Sequence, residues 1–291
     1  MHLALVQEAV SQPLAQTQVP TISPQPNKIQ VRISAVGLNP GDQKQWTGNF
    51  MGQMPLFFGH DGSGSVTEVG QEVTGFSVGG MSFLQPRISA SATFQEIAIL
   101  DTTAVIKIPS RVTFTQAATI PVPYYTAYSG LFHSKAMNLP PPAVTLADRS
   151  QPILVWGAGS AVGRAALQIL TRVGYTNVLA TAGRHRFEEL KSFGAQVFDY
   201  NENNVTEQIK GALNGQELKD VFDAISMPES ISEIAKVISP GAAVCSSPRR
   251  FCCLEAHLTL NNSSSSFPLV VQLVQISFLW ANRPRLAFDA L

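Results

Sequence analysis

The first 244 residues contain no cysteine; the three that exist, Cys245, Cys252 and Cys253, cluster late in the chain. That pattern excludes a disulfide scaffold, and a reducing, cytoplasmic setting is the simpler expectation. Charge is also scarce. Only 14% of residues are Asp, Glu, Lys or Arg, against about 25% in an average soluble protein. Acids and bases number 20 each, for a formal net charge of +0. Without a basic excess to displace counterions, nucleic-acid binding through phosphate neutralisation is not expected. Met1 to Val10 has no basic start and no long apolar run, so no secretory signal is expected. The most membrane-like segment, Phe267 to Trp280, carries Pro268, Gln272 and Gln275. It is shorter than the ~20 residues of a spanning helix, so no membrane association is expected.

What is present is a chain of 291 residues that is 45% apolar, with 21 Gly and 19 Pro. It is too apolar for a disordered chain and long enough for about two domains. Up to Tyr125 the pattern is β-rich. Ile29, Val31 and Ile33 alternate with Lys28, Gln30 and Arg32, as in a strand with one buried face. Gly59 to Gly70 holds four glycines, expected to make tight turns between short strands. Gly75, Gly79 and Gly80 punctuate the next turn, and Ala92–Leu100 and Val105–Ile108 are further apolar runs. This predicts a small barrel or sandwich over residues 1–125.

From Thr126 the pattern becomes strand–helix alternation. Strands are expected at Ile153–Trp156, Val178–Thr181, Gln196–Phe198, Val221–Ile225 and Ala242–Cys245, with helical stripes between them, such as Ala166, Ile169, Leu170 and Val173. Such alternation gives a doubly wound parallel sheet covered on both faces, so the fold class is α/β, with the second domain at 126–291. The segment Gly157-Ala-Gly-Ser-Ala-Val-Gly163 lies between the first of these strands and its helix. Glycines there let a backbone approach a phosphate, and the helix N-terminus offers free N–H groups, so Gly157, Gly159, Ser160, Ala161, Val162 and Gly163 are candidate cofactor residues. An ordinary βα turn is the alternative reading of the motif. An NAD site usually places an acid after the second strand; here stand Gly183, Arg184, His185 and Arg186. Guanidinium forks suit a 2′-phosphate, which points to NADP(H), the alternative being solvated loop charges.

In this order the motifs resemble those of the medium-chain dehydrogenase/reductase superfamily. Asn39-Pro-Gly-Asp42 is similar to its N-P-x-D turn, Gly59-His-Asp-Gly-Ser-Gly-Ser-Val-Thr-Glu-Val-Gly70 to its G-H-E/D signature, and Ala117–Pro121, Thr126-Ala127, Lys191–Ala195 and Val197–Tyr200 to its later landmarks. The resemblance extends to about Ser246, and Asn39–Lys44, Leu139–Pro142 and Phe198–Tyr200 bring it nearest to the fungal trans-acting enoyl reductases. It implies a GroES-like domain beside a Rossmann domain, NADP(H), and reduction of an enoyl intermediate in secondary metabolism, the substrate being free or carrier-bound and the partner a polyketide synthase. A general quinone or alkenal reductase, or a truncated cofactor-binding protein without turnover, are the competing expectations.

By the same resemblance Gly41, Asp42, Gln43, Lys44, Thr126 and Tyr200 join the cofactor-binding set. Lys44 becomes the expected catalytic residue that polarises the carbonyl or gives a proton, with a plain surface lysine as the alternative. Tyr124, Tyr125 and Phe132 are expected to contact substrate, and Trp46, Phe50, Phe57 and Phe58 are further aromatics for an apolar cleft, unless they are simple core. Zinc-bearing relatives carry a cysteine near the N-P-x-D position and often a four-cysteine lobe; neither exists here, so His60 lacks thiolate partners and no metal is expected. No G-x-S-x-G elbow supports a hydrolase. Gly80 replaces the family's usual Asp after Gly79, and from about residue 248 the family pattern stops and the tail is atypical or truncated; loss of the sixth strand, or of the segment that returns to the first domain, would expose apolar surface and weaken the cleft.

Overall fold

The computed structural model describes residues 1–48, 54–77, 79–84, 91–142, 148–246 and 272–275, and every structural statement below concerns those residues. Phe50, Cys252 and Cys253 lie outside them. So does the segment Phe267 to Trp280, apart from four residues. The chain divides into two compact units, Met1–Val122 and a second beginning at Pro123.

The first unit is built from antiparallel sheets. Strand β1 (His2–Gln7) pairs with β2 (Ala15–Val19) and later with β4 (Leu56–Phe57), giving the order β2-β1-β4. Strand β3 (Lys28–Gly37) leads into helix α1 (Pro40–Gly48). With β5 (Asp61–Val69), β6 (Gly80–Leu84), β7 (Ile97–Asp101) and β8 (Val105–Lys107), β3 forms a five-stranded sheet in the order β7-β3-β5-β6-β8. Ile29, Val31, Val66, Ala98, Leu100 and Val105 make its core.

Two expectations change here. Not all glycines of Gly59–Gly70 separate strands: Gly62 and Gly64 lie inside the nine-residue β5, while Gly59, at φ +96°, precedes it and Gly70 opens the turn that follows it. Gly64 faces a bulge in β3, where a Cβ would stand 2.0 Å from the Arg32 carbonyl oxygen, so the missing side chain allows close backbone approach. Asn39-Pro-Gly-Asp42 is a helix start, not an isolated turn. Pro40 takes the first helical position, where its missing N–H costs nothing, and Asp42 Oδ2 accepts the Asn39 N–H at 2.7 Å.

The short α2 (Phe114–Ala117), opened by a Thr113–Gln116 capping box, precedes α3 (Pro121–Phe132). Beyond α3 the second unit alternates β9 (Ile153–Trp156), α4 (Ala161–Val173), β10 (Val178–Ala182), α5 (Phe187–Ser192), β11 (Gln196–Asp199), α6 (Val205–Ala212), β12 (Asp220–Asp223), α7 (Pro228–Ala235), β13 (Ala243–Ser246) and β14 (Gln272–Gln275). All pairings are parallel, in the order β11-β10-β9-β12-β13-β14. Read from β9 this is the doubly wound order 3-2-1-4-5-6. Ala243 to Ser246 register with Gln272 to Gln275, so the sheet has a sixth strand, drawn from beyond the point where the family pattern stops.

The alternation of β9 shows why the sheet is buried twice. Ile153 and Val155 pack with Ala127, Leu131, Ala166 and Leu170. Leu154 and Trp156 face the other way, with Val205, Ile209, Val221 and Ile234. A continuous apolar run therefore feeds two cores through the period-2 alternation of a strand.

Candidate functional site

The switch point of the sheet falls between β9 and β12, which leave the centre in opposite directions. Ligands of such sheets sit there, beyond the strand C-termini. The turn after β9 is built by three glycines doing different work. Gly157 has φ +77°, and a Cβ on it would stand 2.3 Å from Ile225 Cγ1. A Cβ on Gly163 would stand 2.4 Å from the Gly157 carbonyl oxygen, so its absence lets α4 close onto the turn. Gly159 is different: the nearest atom to its would-be Cβ is Arg186 Cγ at 3.5 Å, so the protein leaves that position open.

Thr181, fully buried on β10, fixes the turn from the side. Its Oγ1 accepts the Gly157 N–H at 2.9 Å, and its carbonyl accepts the Ala158 N–H at 2.8 Å. Ser160 caps α4, its Oγ accepting the Gly163 N–H at 3.0 Å, and its own N–H goes to the Gly157 carbonyl. The N–H groups of Gly159, Ala161 and Val162 take no acceptor among the described residues. Three donors at the positive end of a thirteen-residue helix form an anion cradle.

After β12 the chain leaves the strand two residues earlier than expected. Asp223, fully buried, accepts the N–H groups of Ile225 at 2.9 Å and Ser226 at 3.0 Å on one oxygen, and the Ser230 hydroxyl at 2.8 Å on the other. This carboxylate folds the loop that carries Ile225 against Gly157.

After β10, Arg184, His185 and Arg186 form a single 3₁₀ turn capped by Gly183. The His185 ring lies over Gly183, 3.1 Å from its would-be Cβ, and the Tyr200 hydroxyl lies 3.8 Å from that point. Gly183, His185 and Tyr200, which is 51% exposed, are thus brought together. Arg184 binds Asp199 Oδ2 through Nε at 3.0 Å and Glu202 through Nη2. Glu202 first and then Asp199 hold its guanidinium above the ordinary arginine value. The Asn201 N–H, ahead of Arg184, holds the Asp199 carboxyl below its usual range. Arg186 pairs instead with Glu189 Oε2 at 3.1 Å.

In the first unit α1 carries Gly41 and Asp42 buried, Gln43 exposed and Lys44 half-buried. Both Asp42 oxygens are engaged, Oδ1 with His60 Nδ1 at 2.6 Å and Oδ2 with the Asn39 N–H. Asp61 beside them accepts Asn39 Nδ2 at 3.0 Å and the Val122 N–H at 2.9 Å. Thr126 is buried on α3, where Tyr124 and Tyr125 are half-buried. Tyr128 stacks with Tyr124 and meets Phe132 edge-on, at centroid distances of 6.3 and 4.8 Å. Phe132 belongs to the second unit's core, Phe58 is 2% exposed, Phe57 is half-buried, and Trp46 donates its Nε1–H to the Gln12 carbonyl. Sequence reasoning passed over Thr181, whose bond to Gly157 no local pattern records, and Asp223, whose carboxylate caps the loop that follows it.

Two family descriptions match. Residues 25–110 match the alcohol dehydrogenase GroES-like domain and residues 161–247 the zinc-binding dehydrogenase domain. Among the described residues no three His, Cys, Asp or Glu side chains are grouped to hold a metal, and His60 Nδ1 is paired with Asp42. The chain is 35% identical to the dehydrogenase pigH of Monascus ruber over 72% of its own length and 60% of that protein's. It is 32% identical to the trans-enoyl reductase tazE of Aspergillus terreus over 73% of each. Among solved structures, an alcohol dehydrogenase superfamily protein from Novosphingobium aromaticivorans superposes with a TM-score of 0.73 at 26% identity, covering 84% of this chain and 72% of that one. The chain spans 60–65% of the length of the first curated relatives it matches. With a GroES-like match on the first unit, the 3-2-1-4-5-6 sheet in the second and a glycine turn at its switch point, the chain belongs to the medium-chain dehydrogenase/reductase superfamily of oxidoreductases.

Proposed function

We propose that the chain is an NADP(H)-dependent enoyl reductase that acts, without metal, on an activated C=C of a carrier-bound or free enoyl substrate. The observation that carries the cofactor reading is the cradle at the start of α4: unclaimed N–H groups on Gly159, Ala161 and Val162, beside a Gly159 that the protein itself does not need to be glycine. A pyrophosphate fills that opening and satisfies those donors. The Arg186 guanidinium after β10, where an NAD site usually has an acid, supports the phosphorylated dinucleotide. When bound, the nicotinamide supplies the hydride.

The chain's own residues then bind, orient and move a proton. Thr181 and Asp223 hold the two loops of the switch point rigid. Tyr200, with His185 beside it across Gly183, flanks the adenine side. Lys44 takes the role of stabilising negative charge on the substrate carbonyl and delivering a proton to the α-carbon. The enoyl class is supported by the trans-enoyl reductases among the relatives at about 30% identity and by the Lys44 position. A polyketide synthase is the partner such a reductase serves, and a cytoplasmic setting agrees with Cys245, a buried free thiol.

The test mixes the purified chain with NADPH and an enoyl thioester, then with a small quinone, and follows NADPH absorbance. Turnover of the thioester is expected. Turnover of the quinone alone assigns a quinone reductase instead, and NADPH binding with no turnover assigns a cofactor-binding protein.

A further inference from the structure

The guanidinium groups near the phosphate turn differ in their charge surroundings. Arg184 faces two carboxylates, Asp199 and Glu202, and its side chain is 73% exposed. That cluster carries a net negative charge. Glu189, on the first turn of α5, has the inverse arrangement: Oε2 accepts Arg186 Nη1, and Oε1 accepts Arg164 Nη2. One carboxylate there faces two guanidiniums, so the cluster is net positive. Its parts border the cofactor turn. Arg164 follows Gly163 directly and donates its N–H to the Ser160 carbonyl at 2.9 Å, and Arg186 Cγ comes nearest to the open side of Gly159. The inaccessible Nε of Arg164 has no partner among the described residues. An incoming phosphate dianion is attracted to the second cluster and repelled by the acids of the first.

We propose that Arg164 and Arg186, joined on the Glu189 carboxylate, form the subsite that reads the ribose 2′-phosphate, and that Glu189 sets how strongly the phosphorylated cofactor is preferred. Glu189 holds both forks beside the turn and offsets one of their two charges. Arg184 belongs to the Asp199–Glu202 cluster and contributes little. This inference rests on the NADP(H) reading and assigns its determinants.

The test is a fluorescence titration of the full chain with NADPH and with NADH, at two ionic strengths, for the wild type and for Glu189→Gln, Arg164→Gln and Arg184→Gln. All three side chains are partly exposed, so the variants keep the fold, which a melting curve verifies. Glu189→Gln is expected to tighten NADPH roughly three- to tenfold, the size of one screened charge interaction. NADH stays within about twofold, and the gain shrinks at high salt. Arg164→Gln weakens NADPH selectively, and Arg184→Gln leaves the preference intact. An unchanged NADPH-to-NADH ratio in Glu189→Gln, or parallel shifts for both cofactors, overturns the inference. If the wild type shows no preference for NADPH, the cofactor reading fails with it. If the wild type prefers NADPH and only Arg184→Gln removes the preference, this assignment alone fails.

Discussion

The Asp61 carboxylate accepts the backbone N–H of Val122 at 2.9 Å, from a position only 1% exposed. Its other oxygen accepts Asn39 Nδ2. It therefore ties Asn39, at the start of α1, to Val122 within the first unit. Burial is the main cause that pushes its carboxyl up to about 7, the hydrogen bonds from Asn39 and Val122 opposing and Asp42 adding to the rise.

A stability prediction follows from that shift. An aspartate in an unfolded chain titrates at about 3.9. Between that pH and about 7 the folded protein keeps a proton that the unfolded chain releases. Stability therefore falls as pH rises through this window and levels off above it. Asp61 alone accounts for a loss on the order of 4 kcal/mol. Asp61→Asn keeps an oxygen for Val122 and lets the Asn39 amide rotate to match, so it removes this slope. Urea denaturation at pH 5 and pH 8 checks it: the variant gains on the wild type at pH 8, and parallel profiles count against the assignment.

Gly130 on α3 rests on the sheet of the second unit. A Cβ there would stand 2.3 Å from Phe222 Cε2 and 3.2 Å from Cys245 Sγ. Phe222 is fully buried and has no room to withdraw. Gly130→Ala is expected to destabilise by about 1–3 kcal/mol through overpacking, despite alanine's better helix propensity. A variant melting at or above the wild type would show that the helix shifts freely.

Cys245 supplies a chemical prediction. Burial, with Asp223 adding, pushes its thiol up to about 12, so it stays protonated at neutral pH. The thiolate is the reactive form. Peptide mapping after alkylation at pH 8 is expected to find Cys245 unmodified in the native chain and fully modified in denaturant. Labelling of the native chain at Cys245 would contradict its burial.

Lys44 tests the chemistry. Lys44→Ala is expected to lower the rate of enoyl thioester reduction by about 10²-fold or more, as for loss of a positioned acid or electrostatic stabiliser. An unchanged rate would make it a surface lysine.

Much of the second unit was legible because its signals are local. A short apolar run, a glycine turn and a helical stripe each occupy a few residues, so β9, the turn and α4 were readable in order. Boundaries failed where a side chain overrides propensity: Ile225 reads as strand, yet Asp223 captures its N–H and ends β12 at residue 223. The glycines of β5 were misread as turns because a glycine needed for close approach by a neighbouring strand has the same letter as one needed for positive φ. The sixth strand was invisible because Gln272–Gln275 is four residues long and bounded by polar side chains, and pairing with β13 is a long-range event. The arginines after β10 were legible as charge, but their pairing with Glu189, Asp199 and Glu202 was not.

The account stands on a dinucleotide occupying the turn after Trp156, and Gly159 isolates that claim. Calorimetric titration of NADPH into the wild type and into Gly159→Ala, with melting temperatures beside it, tests it directly. Among the described residues outside its own chain neighbours, nothing comes nearer than 3.5 Å to the added methyl, so the variant is expected to melt with the wild type and to lose NADPH binding by at least about tenfold. Equal NADPH affinity in the two proteins, or no binding by the wild type, would contradict it.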